Sequence, residues 1–196
     1  MPRTKEQNEA IRAEKRQLIM DTALKLFAEK GYSSTSINDI AQQANISKGL
    51  MYNYFDSKED VLQSIWDKLT EEFAQMIDPN QTGEVTQAEA ENFIDQTFEM
   101  LKNQREKMKL YFQTSFQPSV LDFIKHKFDA KRAAERQGVI IKYFADKLPI
   151  TETENAYFTI LVFVKGLSMV VTYTETMFDV EFLENYKKFL KSLFFK

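Results

Sequence analysis

Apolar residues recur at helical spacing along most of this 196-residue chain. Over residues 12–30, RAEKRQLIMDTALKLFAEK, the apolar positions Ile19, Ala23, Leu26 and Phe27 fall on one face of a helix. Gly31 then stands where a C-terminal cap belongs. Ser36 with Asp39 three residues on forms a capping box, with Asp in place of Glu, ahead of the stripe Ile37, Ile40, Ala41 and Ala44. Asn45-Ile46 breaks that pattern. Ser47 can cap a short helix that runs to about Tyr54. Asp56-Ser57 opens the next helix, which carries Val61, Leu62, Ile65, Trp66, Leu69 and Phe73.

Residues 78–86, DPNQTGEVT, predict a loop, because Pro and Gly interrupt the pattern. Helical periodicity returns over 87–104 and 107–116, and Pro118 then interrupts it. One long helix is predicted from about Ser119 to Lys147, one after Thr151, and a last one over 180–195. The two final segments, AYFTILVFVKGLSMVVTY and FLENYKKFLKSLFF, carry more apolar surface than a small monomer needs. Leu161 and Leu190 are the expected interface leucines. Gly166 and Ser168 are small enough to let another helix come close.

Composition narrows the function. Gly at 5 and Pro at 4 are too few for the turns of a sheet protein, while Phe at 17 and Met at 8 suit a helical aromatic core. There is no Cys, so neither disulfides nor thiolate metal sites can form. The single histidine, His126, leaves little for a histidine metal site or a catalytic triad. No apolar run reaches membrane-spanning length, and the N-terminus has no apolar signal region, so the expected location is cytoplasmic. No enzyme chemistry and no cofactor is expected.

The net charge of −3 argues weakly against a nucleic-acid partner, but the charges are unevenly placed. Residues 1–55 hold eight Lys/Arg against six Asp/Glu, and the remainder is acidic. A mildly basic head on an acidic body is compatible with DNA binding.

Three short helices with a tight break between the second and third match a helix-turn-helix, here residues 36–55. In that design the later helix enters the major groove of DNA. Its chemistry suits the role. Ser47 and the first amides can receive a phosphate. Lys48 can reach a phosphate or a guanine edge. Gly49 removes a side chain and lets the backbone approach. Tyr52 and Tyr54 can place hydroxyls on phosphates, and Lys58 can add a backbone contact. Ile46, Met51 and Phe55 are expected to face inward, against Ile19, Phe27 and Ile40. Taken alone, a Tyr-x-Tyr pair would be read as core and the lysines as solvated; the surrounding spacing changes that reading.

That spacing carries a resemblance. The elements are Ala23-xx-Leu26-Phe27-xxx-Gly31-Tyr32, Thr35-Ser36-Ile37-xx-Ile40-Ala41-xx-Ala44, Ile46-Ser47-Lys48-Gly49-xx-Tyr52-x-Tyr54-Phe55 and Ser57-Lys58-Glu59-xx-Leu62. Residues 19–62 resemble the N-terminal domain of the tetracycline-repressor-like (TetR/AcrR) transcription regulators. The resemblance implies an all-α protein with a three-helix DNA-binding domain over 13–73. A larger helical ligand-binding and dimerisation domain would follow over 74–196. It implies DNA contacts from Thr35, Ser36, Ser47, Lys48, Gly49, Tyr52, Tyr54 and Lys58. Leu50 and Asn53 depart from the family's usual threonine and histidine, and Leu50 could meet a thymine methyl. A homodimeric repressor is implied, bound to double-stranded operator DNA and released by a small apolar or amphipathic effector. Phe98, Tyr111, Phe112, Phe116, Phe123, Tyr143 and Phe158 are candidates to line the effector cavity.

The rival reading rests on residues 78–89, DPNQTGEVTQAE, which resemble an EF-hand loop with Asp78 and Glu89 as its ligand carboxylates. That reading makes the chain a calcium sensor or scaffold. Two carboxylates and no partner loop weigh against it, and a capped linker is the plainer account.

Overall fold

The computed structural model describes residues 4–77, 82–126, 130–149, 153–174 and 179–195. Every regular element in them is an α-helix. The helices are α1 (Lys5–Lys30), α2 (Ile37–Gln43), α3 (Lys48–Tyr52), α4 (Lys58–Ile77), α5 (Gln87–Asn103), α6 (Arg105–Ser115), α7 (Pro118–His126), α8 (Ala130–Ala145), α9 (Thr153–Tyr173) and α10 (Val180–Phe194). The all-α reading holds.

One boundary differs from the sequence pattern. The α1 helix begins at Lys5, well before its apolar stripe, because Thr4 and Gln7 form a capping box. Periodicity cannot reveal this stretch, since its residues are exposed. Of the single helix predicted over 119–147, the described parts are α7 and α8, and residues 127–129 between them lie outside the described residues.

The chain divides into two compact units, 1–69 with 110–128 and 70–109 with 129–196. Two of the boundaries fall inside α4 and α6 and the third follows α7, whereas the expected division is a single one at 73/74. Gln117 shows why the α7 segment joins the first unit. Its amide Oε1 accepts from the backbone N–H of Tyr32 at 2.7 Å, and its Nε2 donates to the carbonyl of Phe27 at 2.6 Å.

The first unit packs around Ile19, Phe27, Ile40, Met51, Phe55 and Leu62, each at most 1% exposed. Tyr111 and Phe123 are buried in this unit too, with the Tyr111 ring 5.7 Å from Trp66. The core of the second unit is Ala90, Phe93, Ile94, Phe98, Ile140, Ile141, Phe144, Ala145, Ile160 and Leu190. Lys191 on α10 pairs with Asp95 on α5 at 2.5 Å and fastens these helices at their surface.

Candidate nucleic-acid interface

The turn between α2 and α3 follows from one asparagine. Asn45 adopts φ 53°, the left-handed region that asparagine tolerates better than most residues. The N–H of Ile46 then donates to the carbonyl of Ala41 at 2.9 Å, and that of Asn45 to Gln42 at 3.1 Å. This closes α2 in a Schellman motif and sends the chain directly into α3. Ser36 and Asp39 form the expected capping box at the start of α2, and hydrogen bonds from Ser36 hold the Asp39 carboxyl below its usual range. Ser47 caps α3 by accepting from the N–H of Leu50 at 3.1 Å.

Met51 and Phe55 anchor α3 from below, as expected, whereas Ile46 is only half-buried. Arg16 locks the end of the helix. Its guanidinium lies 4.1 Å from the centre of the Phe55 ring and donates to the carbonyl of Tyr54 and to Ser64 Oγ, both at 2.7 Å. Arg12 reaches the carbonyl of Asn53 at 3.4 Å. These arginines are positioning residues that sequence reasoning missed. No local spacing links α1 to a turn 38 residues away.

The outer surface of this segment carries Ser47, Lys48, Gly49, Leu50, Tyr52 and Asn53, all exposed, with Tyr54 half-buried beside them. Ser36 is exposed at the start of α2. A Cβ built on Gly49 would find nothing within 4 Å. Nothing inside the described protein therefore requires glycine there, although glycine weakens a helix by roughly 1 kcal/mol relative to alanine.

Two predicted contact residues are placed elsewhere. Thr35 is 2% exposed, and its hydroxyl donates to the carbonyl of Gly31 at 2.9 Å. The Lys58 ammonium donates to the carbonyls of Tyr32 and Thr35, at 2.7 and 2.8 Å, and lies over the Tyr32 ring. Burial pulls its pKa below the usual lysine value, and Glu59 pushes the other way. Both residues close the α1–α2 connection. Their donors are used by backbone carbonyls that the tight turn leaves without helical partners.

The second unit holds a small cavity of ≈ 50 Å³ among α5, α8, α9 and α10. Of the seven candidate lining residues, Phe98 is there. Tyr111 and Phe123 lie in the first unit's core, and Phe112 and Phe116 also belong to that unit. Tyr143 packs edge-on against Phe144, outside the lining, and Phe158 is 65% exposed. Phe93, Phe144, Phe163 and Phe194 line the cavity instead, with no charged side chain among the lining residues. Aromatic content alone could not separate these two sets. Leu190, expected at an interface, is 4% exposed and lines the cavity; the side chain of Leu161 lies outside the described residues.

For the EF-hand reading, Asp78 and Asn80 lie outside the described residues. Glu89 is a capping carboxylate, accepting from the Thr86 N–H at 2.8 Å and the Thr86 hydroxyl at 2.7 Å. His126 is exposed and pairs with Asp122 at 3.4 Å.

The family described as "Bacterial regulatory proteins, tetR family" matches residues 19–65. These residues form a TetR-type N-terminal region. Within that matched region lie α2, the asparagine turn and α3. An uncharacterised HTH-type transcriptional regulator of Bacillus subtilis, YuxN, is 60% identical over 52 residues, 26% of this chain and 18% of that protein. The HTH-type transcriptional regulator AcrR of Shigella flexneri is 44% identical over 54 residues, 28% of this chain and 25% of that protein. IcaR of Staphylococcus aureus, a biofilm-operon negative regulator, is 47% identical over 45 residues, 23% of this chain and 24% of that protein. These alignments span about a fifth to a quarter of each relative's length. The likeness of the TetR-type head is thus close, while that of the remainder is a likeness of fold. Salmonella enterica GusR superposes with TM-score 0.60 at 18% identity, covering 92% of this chain and 95% of that one. The fatty acid degradation regulator FadR of Bacillus halodurans gives 0.57 at 24% identity, covering 92% and 94%.

Proposed function

We propose that this chain is a TetR-family, homodimeric transcriptional repressor that docks α3 in the major groove of operator DNA and releases it when an effector occupies the second unit. The observation that carries the reading is the outer face of α3. It combines an exposed lysine, an exposed tyrosine and a glycine with open space above it, on a helix fixed from behind by Met51, Phe55 and Arg16. Lys48 supplies a phosphate or guanine contact, Tyr52 a phosphate contact, and Leu50 an apolar surface for a thymine methyl. Ser36, Ser47, Asn53 and Tyr54 complete the surface. Thr35 and Lys58 support it from beneath.

A second copy is the proposed partner of α9 and α10. Every exposed large apolar side chain in the described part of the second unit lies on one of these two helices, among them Val162, Met169 and Val170 on α9 and Val180, Phe189 and Leu193 on α10. Gly166, exposed in mid-α9 with no neighbour within 4 Å of a built Cβ, gives another helix room to approach. A symmetric dimer would set two recognition helices at a fixed spacing. Effector binding would change that spacing. The cavity's apolar lining favours an apolar or amphipathic effector, and the working location is the cytoplasm.

Selection of duplexes from a randomised pool by the full chain tests this. A recovered inverted repeat with half-sites about one helical turn apart is the expected result. Recovery of no duplex at low salt would overturn the reading.

A further inference from the structure

Thr97 is 7% exposed on α5, and its hydroxyl is buried with no hydrogen-bond partner. Three other threonines in or just after a helix bond back one turn. The hydroxyl of Thr22 donates to the carbonyl of Leu18 at 2.7 Å, that of Thr159 to Asn155 at 2.7 Å, and that of Thr174 to Val170 at 2.6 Å. Thr97 makes no such bond. Two other buried threonine hydroxyls, on Thr114 and Thr172, are also unsatisfied, but Thr97 is the one of the three that lines the cavity.

The rest of the lining sets the chemistry. It is phenylalanine, isoleucine and leucine, with Ser168 as the second polar residue and no charged group. An ionised group in such surroundings would be desolvated without a counter-charge, at high cost. A volume of ≈ 50 Å³ holds a few heavy atoms of a slender chain without rearrangement, and fused rings would need more room.

We propose that the cavity takes the aliphatic part of an uncharged amphiphile and that Thr97 hydrogen-bonds its single polar group. This rests on the reading of the second unit as an effector-binding domain and adds the effector's class: a neutral, slender chain bearing one hydroxyl or carbonyl. A fatty acid, ionised at neutral pH, is disfavoured. The unsatisfied hydroxyl is costly in the empty protein and is covered by its neighbours, so a ligand that presses these aside and supplies the missing partner gains an attraction.

The test uses thermal shift of the full chain without DNA, with octane, 1-octanol and octanoate at pH 8, since a ligand that binds the folded state raises its melting temperature by mass action. The expected order of stabilisation is octanol, then octane, with octanoate giving no shift. Thr97→Val keeps the shape and removes the hydroxyl. It should leave the empty protein's melting temperature unchanged or higher, keep the octane shift, and weaken octanol about tenfold, to the level of octane. Thr97→Ser should retain the preference for octanol. Four outcomes would overturn the proposal: no shift with octanol, octanoate matching octanol, an undiminished octanol preference in Thr97→Val, or a valine variant that melts lower while the serine variant does not. DNA retention with and without octanol is measured separately. A Thr97-dependent shift that leaves DNA retention unaltered upholds the ligand assignment and counts against ligand-driven release.

Discussion

The ammonium of Lys58 sits 4.4 Å from the centre of the Tyr32 ring while donating to the Tyr32 carbonyl at 2.7 Å. One lysine thus holds both the side chain and the backbone of the residue that follows the α1 cap. A second bond, to the Thr35 carbonyl at 2.8 Å, ties in the start of α2.

This geometry predicts that Lys58→Met lowers the stability of the first unit by about 2 kcal/mol, as expected when charge-assisted hydrogen bonds to buried carbonyls are lost. Thr35→Val should cost about 1 kcal/mol by the same reasoning for a neutral bond. Neither should change the salt dependence of DNA binding once folding is complete. Thermal melts beside salt titrations separate the two effects, and a flattened salt slope in Lys58→Met would restore it as a phosphate contact.

Tyr32 gives a pH signature. Burial, helped by the nearby Glu59 charge, pushes its phenol up to about 12, from an ordinary value of 10.0. The fold therefore favours the neutral phenol. Its contribution is fully present below pH 10 and is lost as pH rises from about 10 through 12. Tyr32→Phe cannot ionise, so its stability should decline less across that window than the wild type's. Taking the difference cancels the other titrating groups that do not touch Tyr32. Parallel curves for the two proteins would show that the phenol is not held neutral.

Two of the helical glycines, Gly49 and Gly166, predict effects of opposite sign on fold and function. Gly49→Ala and Gly166→Ala meet open space within each chain, so each should stabilise its helix by up to about 1 kcal/mol. Gly49→Ala should nonetheless weaken DNA binding, because the methyl group stands where the backbone approaches the groove. Gly166→Ala should weaken dimerisation, read by sedimentation across a dilution series. Gains in stability with DNA binding and assembly intact would mean that neither glycine faces a partner.

The head was legible in the sequence because its signals are local. Capping at Ser36 and Ser47, the glycine at 31 and the inward Met51 and Phe55 depend on residues a few positions apart, and the structure places them as the spacing requires. What failed was the assignment of individual polar groups. Lys58 reaches back 26 and 23 residues to its carbonyls, and Gln117 reaches back 85 to Tyr32. A lysine in a DNA-binding motif reads as a phosphate contact until its internal acceptors are visible. The cavity was less legible still. Helical periodicity identifies an apolar face, but Phe98 on the lining and Phe123 in the other unit's core obey the same spacing. Only tertiary packing distinguishes them.

The most direct test of the α3 surface is a salt titration of binding to a mixed-sequence duplex, comparing wild type with Lys48→Ala. Lys48 is exposed, so its removal should leave the melting temperature nearly unchanged, within about half a kcal/mol of stability. A phosphate contact contributes about 0.9 to the slope of log affinity against log salt, so the variant should bind more weakly and with a slope shallower by about that amount. A Lys48→Ala protein that binds like the wild type at every salt concentration would contradict the placement of α3 on DNA.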